Sequence, residues 1–279
     1  MASLRDMAPF SVSLMLTDLI STFYMKLPQF FLGKLYPTAT LGAFDQAVKL
    51  KDMPVTAATQ SVQSVTFPAL SEVRGDAPKF AESYRQVVLI TAYVMFPAML
   101  GLSAVAHDLF ALLLSEKWMP TVPYFEVVCL AGLFYPVGMI CYNVLKVMSR
   151  GPLIVRLEVV KKLLMTVVFA VTIPHSVMAV VWGLVVIAFG EMAVNFLATR
   201  RFTRFTTRRF LRTLLPVALV SGTMYLLVRL TACAVPGHLL LRLAAQLLVG
   251  AAAYVGLSVL FRLEAFGLLC DLMKKQAAR

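Results

Sequence analysis

The sequence predicts an all-α, polytopic membrane protein with about eight transmembrane helices. Three observations predict it. The 279 residues are 60% hydrophobic and only 14% charged, with a mean hydropathy of +0.82, whereas a soluble domain is about half apolar and about a quarter charged. Several runs carry no charge at all, among them 87–106, 127–145, 163–190 and 243–261. About 20 such residues cross a hydrocarbon core of about 30 Å. Finally, the basic residues behind the net charge of +12 fall between these runs. That is the pattern of loops facing one side of a membrane rather than of a nucleic-acid groove, so no nucleic-acid partner is expected.

Taken in order, the candidate spans are 8–33, 41–73, 87–106, 121–145, 157–173, 176–198, 211–230 and 239–261. The uncharged run 163–190 is too long for one helix. Ile173-Pro174-His175-Ser176 divides it into a tight hairpin, because proline lacks an N–H and disfavours helix at the residue before it. Pro78 to Gln86 places Lys79, Glu82 and Arg85 among Phe80, Ala81 and Tyr84, a pattern that fits a short amphipathic helix lying at the interface. The tail from Arg262 to Arg279 reads similarly. The loop from His107 to Pro120 carries Trp118, as an aromatic belt would. No cleavable signal peptide is read at the start, so the first span would serve as an uncleaved signal.

Charge bias sets the expected orientation. Segments 1–7, 74–86, 146–162, 199–212 and 262–279 hold 19 of the 26 Lys and Arg residues. The alternate loops hold only Lys34, Lys117 and Arg229. Both termini are therefore expected in the cytoplasm. The densest segment, Arg200 to Arg209, reads as a topology determinant that touches anionic lipid. His107, His175 and His238 would all lie on the outer side, on three separate loops, and read as unconnected.

Several chemistries find no support. Cys129, Cys141, Cys233 and Cys270 form no CxxC pair and have no clustered His, so they read as small core hydrophobes and no metal or cofactor is expected. There is no phosphate loop, nucleophile elbow or HExxH. Asp18, Asp45, Asp52, Glu126 and Glu191 are scattered, and no general acid–base pair assembles from them, so the chain does not read as an enzyme.

The segment 41–73 departs from the pattern. It is span-like yet carries Asp45, Gln46, Lys49, Lys51, Asp52, Gln60 and Gln63, and polar groups in a membrane face a cavity or a partner. On one helix Gln46, Lys49, Gln60 and Gln63 fall on one face. Lys51 and Asp52 point elsewhere and mark a helix break before Pro54. The competing reading pairs these groups with one another, with Asp45 and Lys49 at i, i+4, or has them snorkel to an interface. Asp18 and Lys26 could likewise be satisfied inside the bundle. Glu126 reads as an interface residue near the outer mouth, and Glu191 with Asn195 as a helix–helix contact.

Three blocks then resemble a family. They are Val65-Thr66-Phe67-Pro68-Ala69-Leu70-Ser71 followed by Tyr84-Arg85, Leu112 to Trp118 with Pro120, Pro123 and Leu130 to Pro136, and Leu157-Glu158-Val159-Val160-Lys161-Lys162. With Leu41-Gly42-Ala43-Phe44, Lys49-Leu50 and Met53-Pro54, they resemble the polysaccharide flippases and exporters of the multidrug/oligosaccharidyl-lipid/polysaccharide superfamily. The nearest likeness is to its Wzx-like lipopolysaccharide and exopolysaccharide branch. Ser64 is a departure, since members often carry a basic residue just before the Val-Thr-Phe-Pro block.

The resemblance implies two lobes around a central cavity, with about twice as many spans as counted here. Residues 1–199 would be the C-terminal six-helix transport lobe, and 200–279 two trailing helices with a cytoplasmic tail. The other lobe would be supplied by a longer reading frame or a second chain. The implied partners are a lipid-linked saccharide and the bilayer of the bacterial inner membrane, and the implied activity is flipping of lipid-linked oligosaccharide or polysaccharide precursors. For an anionic diphosphate head group, Gln46, Lys49, Gln60, Gln63 and Lys26 become cavity candidates. Asp18 is then a possible ion-coupling group, and Pro68, Pro97 and Pro136 are hinge candidates. Two alternatives are a cation-coupled multidrug exporter of the same superfamily, which would favour an acidic lining, and a membrane-embedded glycan-assembly enzyme, which would need clustered carboxylates at one membrane face.

Overall fold

A computed structural model of the chain describes residues 22, 24, 26, 28–148, 151–234 and 238–269. Among these the structure is helical and contains no strand. Helix α1 is described continuously over 28–35, and the described residues before it are helical too. The next elements are α2 (Thr38–Glu72), α3 (Ala77–Ala104), the short α4 (Ala106–Leu113), a 3-10 segment (Glu116–Thr121) and α5 (Val122–Val147). Then come α6 (Gly151–Thr172), α7 (Val177–Thr199), α8 (Thr207–Ala234) and α9 (Leu239–Leu260), with a last helical turn, α10, over 264–269.

Five described segments are long and apolar enough to cross a membrane: Ala77–Ala104, Glu116–Val147, Val177–Thr199, Thr207–Ala234 and Leu239–Leu260. Helices α2 and α6 are also long, at 35 and 22 residues, but the charges of α6 and the charged, Gln, Ser and Thr residues of α2 keep them out of that set. The expected span 8–33 lies mostly outside the described residues. The chain is thus an all-α, multi-pass membrane protein.

Alternation of direction brings the helix ends together in two sets. At one end Tyr84 Oη and Thr199 Oγ1 share a hydrogen bond of 3.1 Å, and the Tyr84 ring meets Phe205 edge-on at 5.1 Å. Arg85 bridges to Glu264 there. At the other end Tyr36 Oη donates to the Ile173 carbonyl at 2.9 Å, and Arg242 forks onto Asp108. The basic segments 74–86 and 199–212 meet at the first end.

Helix α5 is central. It packs most extensively on α7, then on α2 and α3, and contributes to both hydrophobic clusters of the bundle. Its uncharged stretch and its glycines explain this. At Gly138 an added Cβ would lie 3.2 Å from the Met192 Cα, so α5 and α7 approach by small-residue packing. Across the same contact Asn195 Nδ2 donates to the Gly138 carbonyl at 3.3 Å. Helix α8 lies along α3, and α9 follows on α8. Their outer faces, including Leu215, Leu219, Leu247 and Leu248, are exposed, as lipid-facing side chains would be.

The hairpin at Ile173–Ser176 forms as expected, with Ser176 Oγ capping α7 by accepting from the Ala179 N–H at 3.0 Å. Three expectations are corrected. No separate interfacial helix exists at 78–86. Asp76 accepts from the Lys79 N–H and caps α3 one residue before Ala77, so Phe80, Ala81 and Tyr84 are the buried first turns of a continuous span. The segment 107–120 is not an open loop but α4 and the 3-10 segment. Helix α2 does not break before Pro54 and runs through both Pro54 and Pro68.

Candidate functional site: a polar face on α2 beside a charged cluster

At 1.5 Å per residue the 35 residues of α2 extend about 50 Å, well beyond a bilayer core. Its buried residues, among them Phe44, Ala47, Val55, Thr59, Thr66 and Leu70, turn toward the bundle. The opposite side carries Lys49, Thr56, Gln60, Ser64 and Ser71, all exposed, with Gln46 and Gln63 half-buried at its margin. The helical spacing thus holds in three dimensions, and this side is left open by the other described helices. Ser64 and Ser71 spend their hydroxyls on the carbonyls of Ser61 and Phe67, at 2.9 and 2.7 Å. Among the described residues, no side chain hydrogen-bonds Gln46, Gln60 or Gln63 or pairs with Lys49. Asp45 does not take Lys49 as its i, i+4 partner, because Gln29 Nε2 already donates to it at 2.9 Å. Lys51 pairs with Asp52.

The other expected groups are more dispersed. Lys26 is exposed on α1. Asp18 lies outside the described residues. Pro68 is exposed near the end of α2, Pro97 is half-buried in α3 and Pro136 is buried in α5. Each sits within a continuous helix. Glu126 does meet a partner near the non-basic end, where Arg229 Nη1 donates to it at 2.8 Å.

A second group of charges escaped the sequence reading. Helix α6 begins at Gly151, not at 157. Lys161 and Lys162, counted above with a cytoplasmic loop, are therefore about 15 Å along a helix. Lys161 is only 6% exposed. It pairs with Glu158 one turn earlier, and its Nζ stands 5.0 Å from the Tyr142 ring centre. Lys146 approaches the same ring at 4.6 Å. From α7, Glu191 lies within electrostatic range of Lys161, Lys162 and Glu158. On α5, Tyr135 lies within range of both Glu191 and Asp52. The helix–helix role expected of Glu191 and Asn195 thus divides: Asn195 binds α5, while Glu191 joins the charges. A sequence cue existed, since Glu158 and Lys161 are i, i+3 neighbours. Nothing in it placed α5 and α7 beside them.

Through Asp52, Tyr135 and Glu191 the cluster adjoins the α2 face, so one side of the bundle offers amide donors, an ammonium with no ion-pair partner among the described residues, and internally paired charges. Amides can both donate to and accept from sugar hydroxyls, and an unpaired ammonium can meet a phosphate. Among the described residues no group of three or more His, Cys, Asp or Glu could hold a metal ion.

Comparisons with known proteins agree with this architecture. Residues 1–123 match the family described as "Polysaccharide biosynthesis protein". An uncharacterized membrane protein in the cps region of Klebsiella pneumoniae is 27% identical over 175 residues, covering 61% of this chain and 34% of that protein. The lipopolysaccharide biosynthesis protein WzxC of Escherichia coli K12 is 25% identical over 139 residues, covering 49% of this chain and 28% of that one. The chain therefore spans about a third of the length of the curated relatives it matches. Among solved structures, the lipid II flippase MurJ in an inward closed conformation superposes with a TM-score of 0.70 over 92% of this chain and 55% of that one, at 14% identity. The likeness to MurJ is one of fold, and the sequence matches carry the kinship. By both together, the chain is similar in sequence to polysaccharide biosynthesis membrane proteins and in fold to a lipid II flippase.

Proposed function

We propose that this chain forms one lobe of a flippase that moves lipid-linked oligosaccharide or polysaccharide precursors across the bacterial inner membrane, with both termini in the cytoplasm. The observation that carries the reading is the polar side of α2. A helix in a membrane exposes lysine and glutamine only toward water or a partner. Here Lys49 and Gln60 are exposed on a side that no described helix covers. In a two-lobe arrangement that side faces the cavity. Lys49 then meets the diphosphate, while Gln46, Gln60 and Gln63 bond sugar hydroxyls. Lys26 on α1 adds a second cation, and Asp18, outside the described residues, is kept as the ion-coupling candidate from the sequence. Pro68, Pro97 and Pro136, each inside a continuous helix, are the places where a lobe could flex between inward- and outward-facing states. Residues 1–199 act as the transport lobe and the helices from 200 onward as an appended pair. No catalytic step is assigned to the chain.

The test is Lys49→Ala combined with Gln63→Ala in a full-length transporter. Glycan export falls while membrane abundance stays at the unsubstituted level. Normal export at normal abundance would remove α2 from the cavity wall.

A further inference from the structure

A cavity lies away from the α2 side. It lies at the basic end, between α3, the start of α8 and the turn after α9. Its volume is about 400 Å³, and its lining includes Glu82, Arg85, Arg209, Arg212, Pro216 and Glu264. The polar members differ in how they are satisfied. Arg85 is committed, donating to Glu82 and to Glu264 on either side, at 3.1 and 2.8 Å in its longer contacts. Arg209 and Arg212 are exposed, and neither has an ion-pair partner within 4 Å among the described residues. The two carboxylates are neutralised unequally by three arginines, leaving the wall net positive. One turn further along α8 the lining becomes apolar, with Pro216 and Val217 facing Leu89 of α3, and the outward side of α8 continues as exposed Leu215 and Leu219.

A positive mouth that passes along a helix into an apolar, lipid-facing wall matches an amphiphile with an anionic head and a hydrocarbon tail. We propose that this cavity is a binding site for the phosphate head group of an anionic phospholipid. Arg209 and Arg212 hold the phosphate, and the first acyl carbons lie against Pro216 and Val217. The site differs from the diffuse attraction of a basic loop, to which Arg200, Arg201 and Arg204 also contribute. It has walls, and two of its cations have no ion-pair partner within 4 Å among the described residues while the third is locked in place by Glu82 and Glu264. An occupying lipid would join the transport lobe, through α3, to the trailing helices, through α8 and the turn at Glu264. The proposal goes beyond the flipping activity and does not depend on it.

The experiment places the full chain in nanodiscs of phosphatidylethanolamine with a minor fraction of phosphatidylglycerol carrying a photoactivatable group near its head. Label is expected on peptides that include Arg209 to Val217. The R209Q/R212Q variant is expected to weaken retention of the labelled lipid about thirty-fold, from the attraction of two arginines for anionic lipid. R200Q/R201Q, which changes the connection before α8 outside the cavity, leaves labelling unchanged, and R209K/R212K retains most of it. Equal labelling of R209Q/R212Q and the unsubstituted chain overturns the proposal, as does an equal loss in R200Q/R201Q, which would signify surface charge alone. If excess inorganic phosphate displaces the probe while a neutral detergent does not, the cavity takes free phosphate and the lipid assignment fails. Titrating phosphatidylglycerol into discs of the unsubstituted chain gives a reading independent of any variant's folding. Saturation at about one lipid per chain supports the site, and a linear, unsaturable rise overturns it.

Discussion

Two lysines in this bundle live in opposite circumstances. Lys49 on α2 is exposed and has no ion-pair partner among the described residues. Lys161 on α6 is buried, pairs with Glu158, and stands over the Tyr142 ring. Both interrupt helices that are otherwise apolar enough to be read as spans. The difference shows that charge in a membrane helix has two distinct uses. Where the neighbours supply a counter-ion the charge serves the packing of the bundle. Where they supply none, on a side left open, the charge is available to something that is not part of the chain. Substitutions can break this contrast, because a paired charge should register mainly in stability and an unpaired one mainly in transport.

The largest effect is expected at the paired end. Lys161→Ala leaves the Glu158 carboxylate without its partner among α5, α6 and α7. Breaking a buried pair from one side costs about 3–5 kcal/mol. Abundance in the membrane should fall sharply, with a lowered melting temperature in detergent. Replacing both members, Lys161→Met with Glu158→Leu, should recover most of the loss, because apolar side chains of similar volume need no counter-ion. If the single variant is as stable as the unsubstituted chain, the cluster is water-filled, and it moves to the same class as the α2 face.

The next effect tests whether α9 is bound to the rest of the bundle by charge. Asp108 is buried on α4 and receives Arg242 Nε at 2.7 Å from α9, while the His107 ring contacts it at 3.2 Å. Burial alone would raise the Asp108 carboxyl, but the hydrogen bonds from Arg242 and His107 outweigh it and hold the group below the ordinary carboxylate range. A carboxyl depressed in the folded state adds stability above its unfolded value of about 4 and loses it as the pH falls through the folded value. Melting temperature should thus be insensitive to this group from pH 5 to 8 and decline below about pH 4. Arg242→Gln should cost about 2–3 kcal/mol through the carboxylate left unpaired, and it should flatten the acid decline.

A smaller effect is expected where the lobe is held by shape. Gly138→Ala would set a Cβ 3.2 Å from the Met192 Cα, and backbone cannot yield as a side-chain tip can. Overpacking of this kind costs about 1–2 kcal/mol. It would also lengthen the 3.3 Å bond from Asn195 to the Gly138 carbonyl. The expected readout is a modest drop in melting temperature with export retained.

How much of this could be read from the chain follows the same division. Hydrophobic runs and proline placement located the long helices, because a span is a local property: Ile173-Pro174-His175-Ser176 marks its turn without reference to anything distant. The α2 face was legible for the same reason, since four polar positions on one helix share a side whatever surrounds them. The start of α6 was not legible. Arg156, Glu158, Lys161 and Lys162 look like loop charge until Tyr142 from α5 and Glu191 from α7 are placed beside them. Nor could Asp45 be assigned correctly, because its partner Gln29 comes from the preceding helix and outcompetes the local Lys49. Charged side chains are decided by tertiary neighbours, and apolar ones mostly by their own period.

The smallest expected effect completes the comparison. Lys49→Ala alone removes an exposed ammonium that contacts no other described side chain, so no interaction within the described fold is lost. Surface substitutions of this kind fall within about 0.5 kcal/mol of neutral, and the melting temperature of the purified chain should not move measurably. A stabilisation would still fit, since a desolvated cation facing an apolar phase would be relieved by its removal. A destabilisation comparable to that of Lys161→Ala would mean that Lys49 has a counter-ion outside the described residues, among them Asp18. In that case the charge of the α2 face would prove to be a paired one, and Gln46, Gln60 and Gln63 would be left as its groups open to a saccharide.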